Sequence, residues 1–125
     1  MFSSDSVKKF NNLPTPFYYY DIDIIKNNLK SLKYSLRSNN KVHFSVKSNT
    51  NKRILEIVKS YNLGIDAVSY NEIKHCLDQG FDSKDIVFAG VGKTDEEIKK
   101  AIEKDIAYFN VESFQELDVI NQLSK

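Results

Sequence analysis

The chain has a single cysteine, Cys76, so it cannot close an internal disulfide, and a small disulfide-braced secreted scaffold is excluded. Cys76 falls within a helical pattern and no histidine pairs with it at a recognised spacing, so it reads as a small buried hydrophobe rather than a nucleophile. The two histidines, His43 and His75, have no second ligand at metal spacing and read as core or surface residues. Charge of one sign is also lacking. Eighteen Lys and Arg against seventeen Asp and Glu leave a net charge of +1, which gives neither nucleic acid nor an anionic membrane surface anything to hold. No apolar run is long enough to span a bilayer, and the opening MFSSDSVKKF lacks the apolar core of a secretory signal. A reducing cytoplasm is the expected compartment.

What is present is an alternation. With 125 residues, 41% of them hydrophobic, the chain has room for one ordinary domain. Residues 1–14 read as a frayed or disordered terminus. Thr15-Pro16 leads into the aromatic run Phe17–Tyr20, which favours a strand over 15–21. Asp21 or Asp23 caps a helix whose Ile22, Ile25, Leu29, Leu32 and Leu36 recur at helical spacing, and Ser38–Asn40 stop it.

The same unit then appears four times over residues 22–125. Short apolar strands at about 42–46, 65–68, 86–89 and 107–111 are each followed by an amphipathic helix, at about 51–61, 70–79, 95–104 and 114–123. Gly64 and Gly80 sit where helices end and the chain turns back, and Asn62 suits a left-handed cap. Strands joined in sequence by helices are parallel with right-handed crossovers. Two architectures fit: an open doubly wound sheet, or the first half of a (β/α)8 barrel.

Chemistry concentrates in Lys41–Asn49, KVHFSVKSN. Val42, Phe44 and Val46 alternate with His43, Ser45 and Lys47, so in a barrel the apolar trio meets the helices and Lys47 points inward. It does so at the C-terminal end of its strand, where such barrels carry their active sites. A lysine there suits covalent attachment of a carbonyl group. A solvated strand-end lysine is the bland alternative. Two neighbours favour function: Ser45 shares the inward face and leaves room for a flat ring, and Asp66 puts a carboxylate inside the second strand, where it needs a partner.

Gly90-Val91-Gly92-Lys93-Thr94 follows a strand and opens a helix, as a phosphate loop would, yet Val87 stands where that pattern needs another glycine. A tight turn with Thr94 as N-cap and Glu97 three residues on explains the segment. Asp95-Glu96-Glu97 opens the same helix, where the macrodipole favours negative charge.

TPFYYYDIDII, KVHFSVKSN, LGIDAVSYNEI, DIVFAGVGKTDEEI and FNVESFQEL, in this order, resemble the N-terminal half of the diaminopimelate decarboxylase family. That family belongs to the pyridoxal-phosphate-dependent decarboxylases built on an alanine-racemase-like barrel. The resemblance, from about Thr15 onward, implies a partial cofactor-binding barrel over 22–125, with 15–21 pairing to a β-domain that is absent here. It implies pyridoxal 5'-phosphate on Lys47, with Asp66 and Ser45 beside it, and Glu72 matches a further frequent position. Ser45 and Ser48 stand where the family has alanine, and Asn62 replaces a frequent glycine.

The implied reaction is decarboxylation of meso-diaminopimelate to L-lysine by a homodimeric cytoplasmic enzyme acting on a small amino acid. The alternatives are a related decarboxylase of ornithine, arginine or carboxynorspermidine, and a non-catalytic half-barrel. The 125-residue chain alone is expected to be inactive, with the edges of its first and fourth barrel strands exposed.

Overall fold

The computed structural model describes residues 4–37 and 39–125; residues 1–3 of the expected frayed terminus and Ser38 of the expected helix stop lie outside these. Six α-helices and four strands follow in the order α1 (Ser4–Phe10), α2 (Ile22–Ser35), β1 (His43–Ser45), α3 (Lys52–Ser60), β2 (Gly64–Ala67), α4 (Tyr70–Asp78), β3 (Ile86–Phe88), α5 (Asp95–Glu103), β4 (Tyr108–Phe109) and α6 (Phe114–Leu123).

The strands form one parallel sheet in the order β1-β2-β3-β4, with Ser45 opposite Asp66, Asp66 opposite Val87, and Val87 opposite Tyr108. A doubly wound sheet reverses its strand order and carries helices on both faces. Here neither holds. Val46, Ile65, Ala67, Ile86 and Phe88 share a single buried cluster with Ile54, Leu55 and Val58 of α3, Ile73 and Cys76 of α4, and Ala101 of α5. These strand residues have one parity, so the helices pack on one face. The chain is therefore four consecutive units of a singly wound, barrel-type sheet, as the family resemblance implies. Each wholly buried Leu, Ile or Phe adds about 1.5–3 kcal/mol to this layer.

Helix starts follow local chemistry. Asp21, Asn51, Ser69, Thr94 and Ser113 each accept a backbone N–H from the first turn of α2, α3, α4, α5 and α6. Such a bond satisfies a donor that the helix cannot, and loss of one cap costs about 1 kcal/mol. Four of these caps close the connections that lead from β1, β2, β3 and β4 into the next helix.

Two expectations need correction, while the expected pairing of 15–21 concerns a β-domain outside the described residues. The N-terminal stretch contains a helix, α1, with Asp5 in its first turn and Lys8 and Lys9 in its last, which complements the helix dipole. Phe10, at its end, packs its ring on Phe17 and Tyr19. Residues 15–21 pair with no strand among the described residues, and Tyr18 is 91% exposed. Gly64 is no turn residue. It opens β2, and a Cβ there would lie 2.7 Å from His43 Nε2 and from the Asp85 carbonyl oxygen, so glycine answers a close approach. Gly80 (φ +79°) and Asn62 (φ 57°) do hold the left-handed conformation.

Candidate active site

The sheet face turned away from the helices is polar where the other is apolar. Register places His43, Ser45, Asp66, Val87 and Tyr108 on it, and an open cavity of about 440 Å³ is lined there by His43, Asp66, Val87, Ala89 and Asn110. Ser45 and Asp66, directly paired across β1 and β2, are joined by a hydrogen bond from Ser45 Oγ to Asp66 Oδ2 of 3.0 Å. Neither a lysine nor a helix N-terminus takes the Asp66 carboxylate among the described residues. Its second oxygen, Oδ1, is shielded from solvent without a partner, and so is His43 Nε2. Both residues line the cavity, and each keeps a buried polar atom whose hydrogen-bonding capacity is unmet among the described residues.

His43 is a cavity wall that the sequence reading left as a core or surface histidine. Burial first, and Lys41 second, push its pKa below the ordinary histidine value against the opposing charges of Asp66 and Asp85, so its ring is neutral at neutral pH. Asn110 was also missed. The strand register carries the signal: Ser45, Asp66, Val87 and Tyr108 are paired in turn on one face, and Ala89 and Asn110 lie two residues beyond Val87 and Tyr108.

Lys47 does not lie in β1. The strand stops at Ser45, and Val46–Ser48 tightens into a 3₁₀ turn closed by Asn49 N–H to the Val46 carbonyl (2.9 Å) and Ser48 Oγ to the Ser45 carbonyl (2.7 Å). Val46 is fully buried against the helices while Lys47 is exposed. No hydrogen bond or ion pair engages the Lys47 amine among the described residues. It is two residues beyond Ser45, at the strand's C-terminal end, with its nitrogen free to react.

Lys93 has the opposite character. Its side chain is 0% exposed, and Nζ donates to the Gly90 carbonyl (2.6 Å), the Asn110 carbonyl (2.9 Å) and Glu116 Oε1 (2.7 Å), with the Phe88 ring 5.6 Å away. This amine ties the ends of β3 and β4 to the start of α6 and is unavailable to a phosphate. The tight-turn reading of GVGKT holds, and Thr94 with Glu97 makes a full capping box. Glu97 Oε1 also accepts the Tyr70 N–H at 3.0 Å, joining α5 to α4. Glu72 likewise closes its own helix start by accepting the Val68 N–H at 2.8 Å.

Cys76 is fully buried, and desolvation, followed by the nearby Glu72 charge, pushes its thiol up to about 11. It is a packing residue. His75 Nε2 lies 3.0 Å from the Thr50 carbonyl, a local link between helix and loop. A separate groove of about 300 Å³, lined by Leu32, Arg37, Val42, Tyr61 and Leu63 among others, lies at the other end of the strands, away from Lys47 and Asp66. Among the described residues no group of three or more His, Cys, Asp or Glu could hold a metal, and no helix is long and apolar enough to cross a membrane.

Comparison with known proteins covers the same span. Residues 22–125 match the family model described as pyridoxal-dependent decarboxylase, pyridoxal binding domain. The chain is 42% identical over 120 residues to a diaminopimelate decarboxylase of Bacteroides thetaiotaomicron, covering 94% of this chain and 31% of that protein. It superposes with a TM-score of 0.85 and 36% identity on the Helicobacter pylori diaminopimelate decarboxylase crystallised with L-lysine, covering 94% of this chain and 30% of that one. A Staphylococcus aureus decarboxylase of a substituted hydroxybutanedioate is 32% identical over 116 residues, 92% of this chain and 28% of that protein. The chain spans about a third of the length of the relatives it matches.

Proposed function

Because the chain belongs to the pyridoxal-dependent decarboxylases, through their pyridoxal-binding domain, we propose that Lys47 is the covalent attachment point of pyridoxal 5'-phosphate, with Asp66 and Ser45 beside it. The observation that carries this reading is a pairing of opposites at one strand end. An amine without a partner stands two residues from a polar pair whose shielded carboxylate oxygen, Asp66 Oδ1, has nothing to accept from. The cavity lined by Asp66 and His43 has room for a flat ring.

When bound, the cofactor supplies an electron sink for the pair left behind as carbon dioxide departs. The protein's own residues do the rest. Lys47 would hold the cofactor through Nζ and, once released, would carry a proton at that atom. Asp66 shares a niche with Val87 and Ala89, where its carboxylate would accept a charge-assisted hydrogen bond strengthened by low polarity. His43, neutral, adds no charge to that niche.

The relatives' names point to diaminopimelate, and the corresponding reading for the whole protein is decarboxylation of meso-diaminopimelate to L-lysine by a cytoplasmic homodimer. A second reading, decarboxylation of a different amino-acid-like substrate, is favoured by the hydroxybutanedioate-specific relative at a similar level of identity. Borohydride reduction after incubation with pyridoxal phosphate, followed by peptide mapping, is expected to place the added mass on Lys47. Label on other lysines and none on Lys47 sinks the reading. A panel of diaminopimelate, ornithine, arginine and the substituted hydroxybutanedioate, scored by carbon dioxide release with the whole protein, separates the substrates, and light scattering tests the dimer.

A further inference from the structure

The two oxygens of Asp66 have unlike surroundings. Oδ2 accepts from Ser45 Oγ at 3.0 Å, while Oδ1 is shielded and bare. Left alone, a carboxylate turns about Cα–Cβ to bring both oxygens to water, because a shielded acceptor without a partner costs about 1–3 kcal/mol. Something must hold it in the less comfortable position. Val87 and Ala89, lining the same cavity, have no side-chain donor. The Ser45 hydroxyl, on the residue directly opposite in the β1–β2 register, is the one side chain that bonds Asp66 among the described residues.

Ser45 is itself well anchored. Its carbonyl accepts from Ser48 Oγ at 2.7 Å, and the turn that begins there carries Lys47. The position of its hydroxyl is therefore set by backbone that is closed on both sides, by sheet pairing and by the turn. An alanine, the residue at this position in the family that the sequence resembles, would leave Asp66 without that bond.

We propose that Ser45 is a positioning residue that acts through Asp66: its hydroxyl, bonded to Oδ2, fixes the carboxylate in a single rotamer on the cavity wall. The proposal rests on the cofactor reading above for its purpose, and on the Ser45–Asp66 geometry for its substance. A merely structural Ser45, bridging two strands, would lower stability on removal and leave the cavity's binding properties alone.

The test uses the full chain as Ser45→Ala, Ser45→Thr, Asp66→Ala and the Ser45→Ala/Asp66→Ala double variant, with folding checked by circular dichroism. Two readouts are taken: the Asp66 rotamer, from scalar couplings across its Cα–Cβ bond in the protein without cofactor, and the affinity for pyridoxal phosphate by absorbance titration. Ser45→Ala is expected to convert Asp66 from one rotamer to an average of several and to weaken pyridoxal phosphate about tenfold, the loss of one hydrogen bond to a charged group. Ser45→Thr is expected to restore both, and Ser45→Ala is expected to add nothing once Asp66 is alanine. A single Asp66 rotamer in Ser45→Ala, or an equal loss of affinity with and without the Asp66 carboxylate, overturns the proposal. Ser45→Cys, of similar size and a weak donor, gives the same readings if the alanine variant does not fold. Absence of any cofactor on Lys47 in the unaltered chain would overturn the cofactor reading instead, while the couplings would still decide whether Ser45 sets Asp66.

Discussion

Two lysines lie in the segments that follow barrel strands, Lys47 after β1 and Lys93 after β3, and they have little in common beyond that. Lys47, past β1, is exposed and its amine has no partner among the described residues. Lys93, past β3, is 0% exposed and meets two carbonyls, a carboxylate and an aromatic face. Position in the fold is therefore a poor guide to use. What separates them is whether the surroundings satisfy the charge. A lysine whose donors are all occupied is a structural clip, and an exposed one without a partner at the C-terminal end of a barrel strand is available for chemistry.

The sharpest way to break this comparison is to remove the clip. Lys93→Met is expected to destabilise the chain by about 3–5 kcal/mol, because it leaves Glu116, itself only 11% exposed, as an unpaired buried carboxylate. Denaturant unfolding measures it. A loss under about 1 kcal/mol would mean that the buried pair contributes little and that Lys93 differs from Lys47 only in exposure. The double change Lys93→Met with Glu116→Leu is expected to recover most of the loss, since no orphaned charge remains.

Gly64→Ala comes next. The added methyl meets the His43 ring and the Asp85 carbonyl, so a cost of about 1–3 kcal/mol from overpacking is expected. The effect should shrink in a His43→Ala background, where the ring is gone. Equal losses in both backgrounds would put the whole clash on the backbone oxygen.

These two sites also show what a sequence conveys and what it does not. Helix starts were readable because Asp21, Asn51, Ser69, Thr94 and Ser113 bond to residues two or three positions on. The face shared by Ser45 and Asp66 was readable because parity within a strand is a local rule. The partners of Lys93 lie 17 and 23 residues downstream, and the ring over Gly64 belongs to a residue 21 positions upstream. No local pattern encodes such pairs, so the first was met as a tight turn without its clip and the second as a helix stop. The end of β1 was misplaced for a similar reason. Alternation runs on through Val46 and Lys47, but a side-chain bond from Ser48 folds those residues into a turn.

A smaller effect tests the seam between α4 and α5. The Tyr70 N–H bond, opposed by burial and aided by Thr94, holds the Glu97 carboxyl below the ordinary glutamate range. A depressed folded value contributes stability at pH above the unfolded value, and that contribution disappears as pH falls through the folded one. At neutral pH Glu97→Gln is expected to cost about 1 kcal/mol, in the range of one cap interaction. The stability curves of the two proteins are expected to converge on acidification below the glutamate range. Parallel curves would show that the charge at this seam contributes nothing.

The smallest expected effect on stability is the most telling. Lys47→Ala removes a side chain with no hydrogen bond or ion pair among the described residues, at an exposed position, so unfolding is expected to shift by no more than about 0.5 kcal/mol. The same substitution is expected to abolish borohydride-trapped pyridoxal phosphate. A residue that folding does not need, and whose loss ends cofactor attachment, is kept for chemistry. A destabilisation approaching that of Lys93→Met would mean that the Lys47 amine has a structural partner after all, and the contrast between the two lysines would collapse.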